Sequence, residues 1–377
     1  MRIFFPNASI LYPPATGGHI HVYQLTKQLV ELGHEVVSLQ PDQSPVTAIH
    51  PRDPLSVVRA LRDADVVYCR VAERPNGATR LTSPHMRWLV PNRTPVVWEF
   101  NVSITGASTM AGRSDALRDA DLSALRRSAR RVDAAIGVTA GLTEQARNIL
   151  GIERTIVIQN GSDPALFRRD LPIPPDLDLA PDKLHAVSIG SNPNSYHDIA
   201  LVEALGRSID EKALPIELHL FGRSAELCSD HTPRSLRLHG RVSHLDMPRY
   251  LAHMDVGLAL YNIPLDLGSP MKLFDYLASG CVPVCSEGQA VEEVLAGTDA
   301  GFVEAGWTPE KLSGVLMKLH QDRAMLEAMR TAGRRLVEQE YNWRRIAEKT
   351  MELLSQLVHG GSRAAETGKT RPRLSAD

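Results

Sequence analysis

Cysteine is scarce in this 377-residue chain: there are four, Cys69, Cys228, Cys281 and Cys285, each in an apolar or strand-like context. So few thiols at this length exclude a disulfide framework and point to reduced side chains. Cys281 and Cys285 fall four apart on an expected strand and share a face, but no Cys or His stands beside them at metal-ligand spacing, so no metal site is expected. An excess of charge is also missing, since 42 Lys and Arg against 44 Asp and Glu leave a net −2. Nucleic-acid binding therefore has no global electrostatic support. No apolar run approaches the ~18 residues of a membrane span, and Ile3 to Phe5 meets Pro6 too soon to be a signal peptide. A cytoplasmic protein is expected. GxGxxG is absent too, and Leu39-Gln40-Pro41 has no acid where the second strand ends, which argues against a nicotinamide enzyme.

What is present is an ordinary globular composition, 43% hydrophobic and 23% charged, in a chain long enough for two domains. In the first half, β-rich runs at Ile3–Phe5, Glu35–Leu39, Val66–Cys69, Pro95–Glu99, Ala134–Val138 and Thr155–Ile158 alternate with helical patterns. Val22, Leu25, Leu29 and Leu32 form the apolar stripe of a helix that stops at Gly33. That alternation means a parallel sheet with crossover helices. A proline-studded stretch with Pro172, Pro174, Pro175 and Pro181 reads as a linker. The alternation then restarts, with strands at His185–Ile189, Ile216–Phe221, Leu236–His239, Val256–Leu260, Cys281–Cys285 and Gly301–Val303. The expected division is residues 1–162, a linker over 163–183, a second doubly wound domain over 184–342, a last helix over 343–358 and a disordered tail over 359–377. Arg126, Arg127, Arg130 and Arg131 on one helix would suit anionic lipid. Asp115, Asp119 and Asp121 precede them, however, so a solvated face with at most weak peripheral membrane contact is expected.

The stretch from Asp266 to Leu295 carries the strongest chemical signal. Ser269 is expected to cap a helix through its hydroxyl, with Pro270 in the first position and Gly280 ending the helix in a left-handed conformation. Leu273, Phe274, Leu277 and Ala278 share one face, and Lys272 and Asp275 share another. A helix N-terminus with a lysine in its first turn favours an anion such as a diphosphate. Asp275, one turn deeper, suits the paired hydroxyls of a sugar. On an arbitrary helix such a pair is more often a solvated surface pair, and the neighbouring sequence shifts that balance. In the loop after the first strand, Gly17-Gly18-His19 lets backbone approach a ligand at the carboxyl edge of the sheet.

Together these stretches resemble family 4 of the glycosyltransferases. The resemblance rests on Gly17-Gly18 with Leu32-Gly33-His34-Glu35-Val36, on Asp133 to Thr139, on Val157 to Asp163 with Phe167, on Leu238 to Ser243 and, most specifically, on Ser269 to Val284. It implies the GT-B fold, two Rossmann-like parallel-sheet domains facing a cleft, and retaining transfer of a sugar without metal or cofactor. The donor would be a nucleotide-diphosphate sugar, UDP first and GDP second; the acceptor would be a glycan, a lipid-linked glycan or a small molecule. Lys272, His19 and Glu99 would be catalytic. Gly17, Gly18, Gly190, Arg223, Ser269, Pro270, Met271 and Asp275 would bind the donor, with Asn101 on the acceptor side and the last helix crossing back to the first domain. Two departures stand out. Leu267 occupies the place of the first acid of E-x7-E, with Asp266 adjacent, and the basic pair after the second domain's first strand is replaced by Ser191 to His197. An inactive partner protein and a nucleotide-sugar epimerase are the alternatives.

Overall fold

The computed structural model describes residues 1–6, 14, 16–39, 46–50, 52–71, 90–91, 94–105, 114–190, 197–222, 231–262 and 268–366, with side chains through 360. The chain forms two compact units, one of Met1–Leu11, His21–Ile158 and Ile346–Asp377, the other of Tyr12–Ile20 and Gln159–Arg345. Gly17, Gly18 and His19 thus group with the second unit. Among the described residues no helix is long and apolar enough to cross a membrane.

The first unit holds a seven-stranded sheet in the order β3-β2-β1-β4-β5-β6-β7. Its strands are β1 (Arg2–Phe4), β2 (Glu35–Ser38), β3 (Thr47–Ala48), β4 (Val66–Val71), β5 (Val96–Phe100), β6 (Ala134–Gly137) and β7 (Thr155–Val157), all paired in parallel. Six correspond to the runs read from the sequence. The two-residue β3 is too short to leave an alternating pattern. The helices are α1 (Gly17–Glu31), α2 (Pro54–Asp63), α3 (Asp115–Ala129) and α4 (Ala140–Leu150). Val22, Leu25 and Leu29 are buried along α1, as the stripe requires.

The second unit holds a six-stranded parallel sheet in the order β10-β9-β8-β11-β12-β13. The strands are β8 (Leu184–Gly190), β9 (Ile216–Gly222), β10 (Leu236–Gly240), β11 (Val256–Ala259), β12 (Val282–Ser286) and β13 (Phe302–Glu304); the helices are α5 (Ile199–Glu211), α6 (Met247–Leu251), α7 (Met271–Ser279), α8 (Gln289–Leu295), α9 (Pro309–Gln321), α10 (Arg323–Gln339) and α11 (Trp343–Glu366). Successive residues alternate between two cores, because a pleated strand points them to opposite faces. Ala186, Leu220, Leu258 and Val284 join Leu205, Leu312 and Leu316 on one side. Val187, Phe221, Ala259 and Cys285 join Leu273, Phe274, Tyr276 and Leu277 of α7 on the other. Burying each of those four α7 side chains contributes about 2 kcal/mol, more than the helix's own propensity supplies. The chain order reverses between β8 and β11, where an open α/β sheet leaves a ligand-binding crevice at the carboxyl edge.

The last helix is longer than expected. α11 runs to Glu366, through the Gly360-Gly361 pair taken as the start of a disordered tail. Each glycine costs a helix only about 1 kcal/mol, which the preceding amphipathic turns outweigh.

Two glycines should separate cleanly on substitution. Gly33 has φ +85° with open space around it, while Gly222 has φ +93° and a Cβ there would lie 2.1 Å from the Gly190 carbonyl oxygen. Gly33→Ala should cost about 1–2 kcal/mol for the left-handed backbone alone. Gly222→Ala adds a clash of about 1–3 kcal/mol against backbone that cannot swing aside. Urea denaturation midpoints measure this, and equal losses would contradict the packing described.

Candidate active site

α7 is fixed before its polar residues are aimed. Tyr276 lies over Gly257, where an added Cβ would stand 2.3 Å from the ring. The Tyr276 hydroxyl accepts from the Ile189 amide at 3.2 Å and donates to the Leu258 carbonyl at 3.4 Å, joining β8 to β11. Gly280 ends the helix at φ 72°, as expected of it. At the other end the cap is Pro270, with no side-chain hydrogen bond. The expected Ser269 cap is therefore not made: Ser269 lies one residue before the cap, and its buried Oγ has no hydrogen-bond partner among the described residues. Asn160 Nδ2 donates instead to the Ser269 carbonyl at 3.0 Å, holding the entry to the helix.

This seating carries Lys272 to the crevice between β8 and β11. Its Nζ donates to the Ile189 carbonyl, lies 3.0 Å from His197 Nδ1 and stands 5.3 Å from the centre of the Tyr261 ring. His197 is held there by a bridge to Tyr261 and by the Asp198 amide, which donates to the Leu260 carbonyl at 3.1 Å. Desolvation lowers the Lys272 ammonium to about 7, and burial followed by the Lys272 charge lowers His197 to about 3. A neutral imidazole thus accepts from a lysine that titrates near neutrality.

Lys272 and Asp275 do not look out together. Asp275 turns into the protein and accepts from Ser162 Oγ at 2.6 Å, and burial raises its carboxyl to about 7. Ser162 and Asn160 belong to the Val157 to Asp163 stretch, expected at the end of the first domain, and both group with the second unit. Sequence reasoning missed their contacts with α7 because the partners are more than a hundred residues away. Gly190 closes β8 at the same edge. Gly17 faces the first residue of α7, since a Cβ there would lie 3.1 Å from Met271 Cγ. His19 is half-buried, its amide donates to Thr16 Oγ1 at 3.3 Å, and its Nδ1 has no hydrogen-bond partner among the described residues. Arg223, Asp266, Leu267 and Cys228 lie outside the described residues.

In the first unit, Glu99 and Asn101 come together in a buried network. Glu99 accepts from Tyr68 Oη and Asn101 Nδ2, with His21 Nε2 at 2.8 Å and Arg70 Nε at 3.5 Å. Burial alone would raise its carboxyl, but His21, Arg70 and Tyr68 outweigh that and hold it at about 2. A carboxylate so engaged is a poor base and a good anchor for Asn101 and His21. His21, Tyr68 and Arg70 escaped sequence reasoning. Tyr68 and Arg70 alternate on β4, and the Arg70–Glu99 register pairing delivers them to Glu99.

Residues 200–352 match the model of a family described as glycosyl transferase-like. No curated protein matches the chain at a significant level. Among solved structures the chain is similar to a sucrose-phosphate synthase from Thermosynechococcus elongatus, with a TM-score of 0.67 and 16% identity over 96% of this chain and 100% of that one. It is similar to Anabaena HepE, solved in complex with UDP and glucose, with a TM-score of 0.68 and 14% identity over 94% of this chain and 100% of that one. WaaG, a glycosyltransferase involved in lipopolysaccharide biosynthesis, gives a TM-score of 0.66 and 13% identity over 94% of this chain and 100% of that one. At these identities the likeness establishes the fold alone, two parallel-sheet α/β domains as in the GT-B glycosyltransferases; most of the stretch matched by the family model falls in the second unit.

The buried Asp275 carboxyl sets a pH dependence. Its folded value of about 7 exceeds the ordinary 3.8, so between those values the native state keeps a proton that the unfolded state loses, and stability falls as pH rises. Below that window the group contributes no penalty; above it the penalty is complete. Asp275→Asn, which keeps an acceptor for Ser162, should match wild type at pH 4 and exceed it by a few kcal/mol at pH 8. Chemical denaturation at both pH values measures this, and a difference independent of pH would contradict the buried placement.

Proposed function

We propose that the protein transfers a sugar from a nucleotide-diphosphate sugar to an acceptor hydroxyl, with retention of anomeric configuration and without a metal ion in the reaction. The observation that carries this reading is Lys272: a lysine at a helix N-terminus, desolvated at the switch point of a parallel sheet, within the domain that matches a glycosyl transferase-like family. A diphosphate there meets the first amides of α7, which have no acceptor within the helix, and an amine that gains a proton as it gains an anion. Asp275 then serves the ribose, exchanging Ser162 for the sugar's hydroxyls. UDP is the favoured nucleotide and GDP the second; HepE, of the same fold, is solved with UDP.

In the transfer the bond between the anomeric carbon and the diphosphate oxygen breaks, and the acceptor oxygen bonds to that carbon on the same face. The acceptor's proton passes to the departing phosphate oxygen. The protein's part is to stabilise charge growing on the leaving group, which requires preorganised donors rather than a strong base. Ionised Glu99 fits the same division of labour, orienting Asn101 and His21 on the acceptor side rather than abstracting a proton.

Two substitutions test the assignment by their kinetics. Lys272→Ala should lower kcat about a hundredfold, the loss of one preorganised charge contact worth about 3 kcal/mol. Asp275→Asn should mainly raise the donor KM, because a ribose contact is similar in ground and transition states. The donor is first chosen by the thermal shift that UDP, GDP, ADP and dTDP produce. Near-normal turnover by Lys272→Ala would remove the reading.

A further inference from the structure

The second sheet holds a cluster of side chains that the proposed transfer does not use. His185 lies on β8, Glu217 and His219 lie on β9, and all three are buried. The register pairs His185 with Glu217, and strand alternation puts His219 on the same face as Glu217. One ring nitrogen from each histidine and one Glu217 carboxylate oxygen lie within 4.8 Å of one another. His185 Nδ1 and His219 Nε2 are 3.1 Å apart, and His185 Nδ1 is 3.8 Å from Glu217 Oε2.

We propose that His185, His219 and Glu217 form a structural site for a divalent transition cation of the zinc type. Two imidazoles and a carboxylate are a donor set that zinc takes at about 2.0–2.2 Å, and two nitrogens on one tetrahedral ion are about 3.3 Å apart, close to the spacing here. The far atom of each ligand is already fixed. His185 Nε2 lies 2.9 Å from the Ala180 carbonyl, which only accepts, so this nitrogen carries the proton and the Nδ1 lone pair points at His219. His219 Nδ1 lies 2.9 Å from His239 Nε2, and Glu217 Oε1 accepts from Arg237 Nε at 2.7 Å. Outer partners of this kind orient metal ligands and set their tautomers.

Without the ion, His239 donates to His219 and His219 donates to His185, each through a protonated Nε2. Metal entry requires that proton to leave the space between His185 and His219. It moves to His219 Nδ1, which then donates to His239 Nε2, and the His239 proton moves to its own Nδ1. Every imidazole stays neutral and no net proton is released. Among the described residues no fourth His, Cys, Asp or Glu joins the cluster, so the fourth position falls to water. Gly190 is five residues along β8 from His185, roughly 16 Å at about 3.3 Å per residue, so the ion is remote from Lys272 and acts on stability, tying β8 and β9 to the segment at Ala180.

The test uses the full chain without a polyhistidine tag, stripped with EDTA and then dialysed against stoichiometric zinc. The expected result is one zinc per chain by elemental analysis, a melting temperature several degrees above that of the stripped protein, and visible bands of tetrahedral cobalt when Co(II) replaces zinc. Those three readouts are independent of whether the transfer reading holds, and any turnover at 25 °C should be the same in both forms. Glu217→Gln should abolish binding, and His239→Gln should weaken it about 10–100-fold. Failure of the wild-type chain to retain zinc would overturn the proposal, even if neither variant folds. Retention of zinc by both variants with wild-type affinity would also overturn it, because the ion would then lie elsewhere.

Discussion

The second unit depends on a missing side chain. Gly257 leaves the space that the Tyr276 ring fills, and the ring's hydroxyl joins two strands that approach only at the sheet's switch point. Around that contact the helix is held from both ends, by Asn160 at the Ser269 carbonyl and by Arg334, which donates to the carbonyls of Ala278 and Pro164. A helix fixed at its middle and both ends cannot turn about its axis. Lys272 consequently points where β8 and β11 end, and Asp275 points at Ser162.

Both groups are held where their charged forms are disfavoured, and burial is the first cause for each. For stability alone an apolar side chain at either position would serve better. Perturbed groups of this kind cluster at functional sites, and the proposed transfer uses both. Glu99 illustrates the opposite arrangement: equally buried, it is supplied with donors and stays ionised, and it is thereby committed to its neighbours.

Much of this was legible in the sequence. Twelve of the strands announce themselves as short β-rich runs between helical periods, and the Gly280 stop and the apolar face of α7 follow from local chemistry. What the sequence concealed is long-range. Ser269 before Pro270 predicts a cap, but the helix starts one residue later and its entry is held by Asn160. Lys272 and Asp275 share a face by helical arithmetic, yet their partners, Ile189 and His197 for one and Ser162 for the other, are set by sheet topology. The histidine and glutamate cluster was invisible for the same reason, since only the pairing of β8 with β9 brings His185 to Glu217. Local rules give elements and their ends; they do not give which elements meet.

The central claim is that Lys272 is the cation for a diphosphate, and proton uptake tests it most directly. Held at about 7 in the free protein, the amine is mostly neutral at pH 8, and a bound diphosphate must draw it back to the ammonium form. Calorimetric titration with UDP at pH 8, in buffers of different ionisation enthalpy, reads the protons taken up on binding. The account predicts uptake approaching one proton in the wild-type protein and its loss in Lys272→Met. Binding of UDP with no proton uptake, or with the same uptake in the variant, would contradict it.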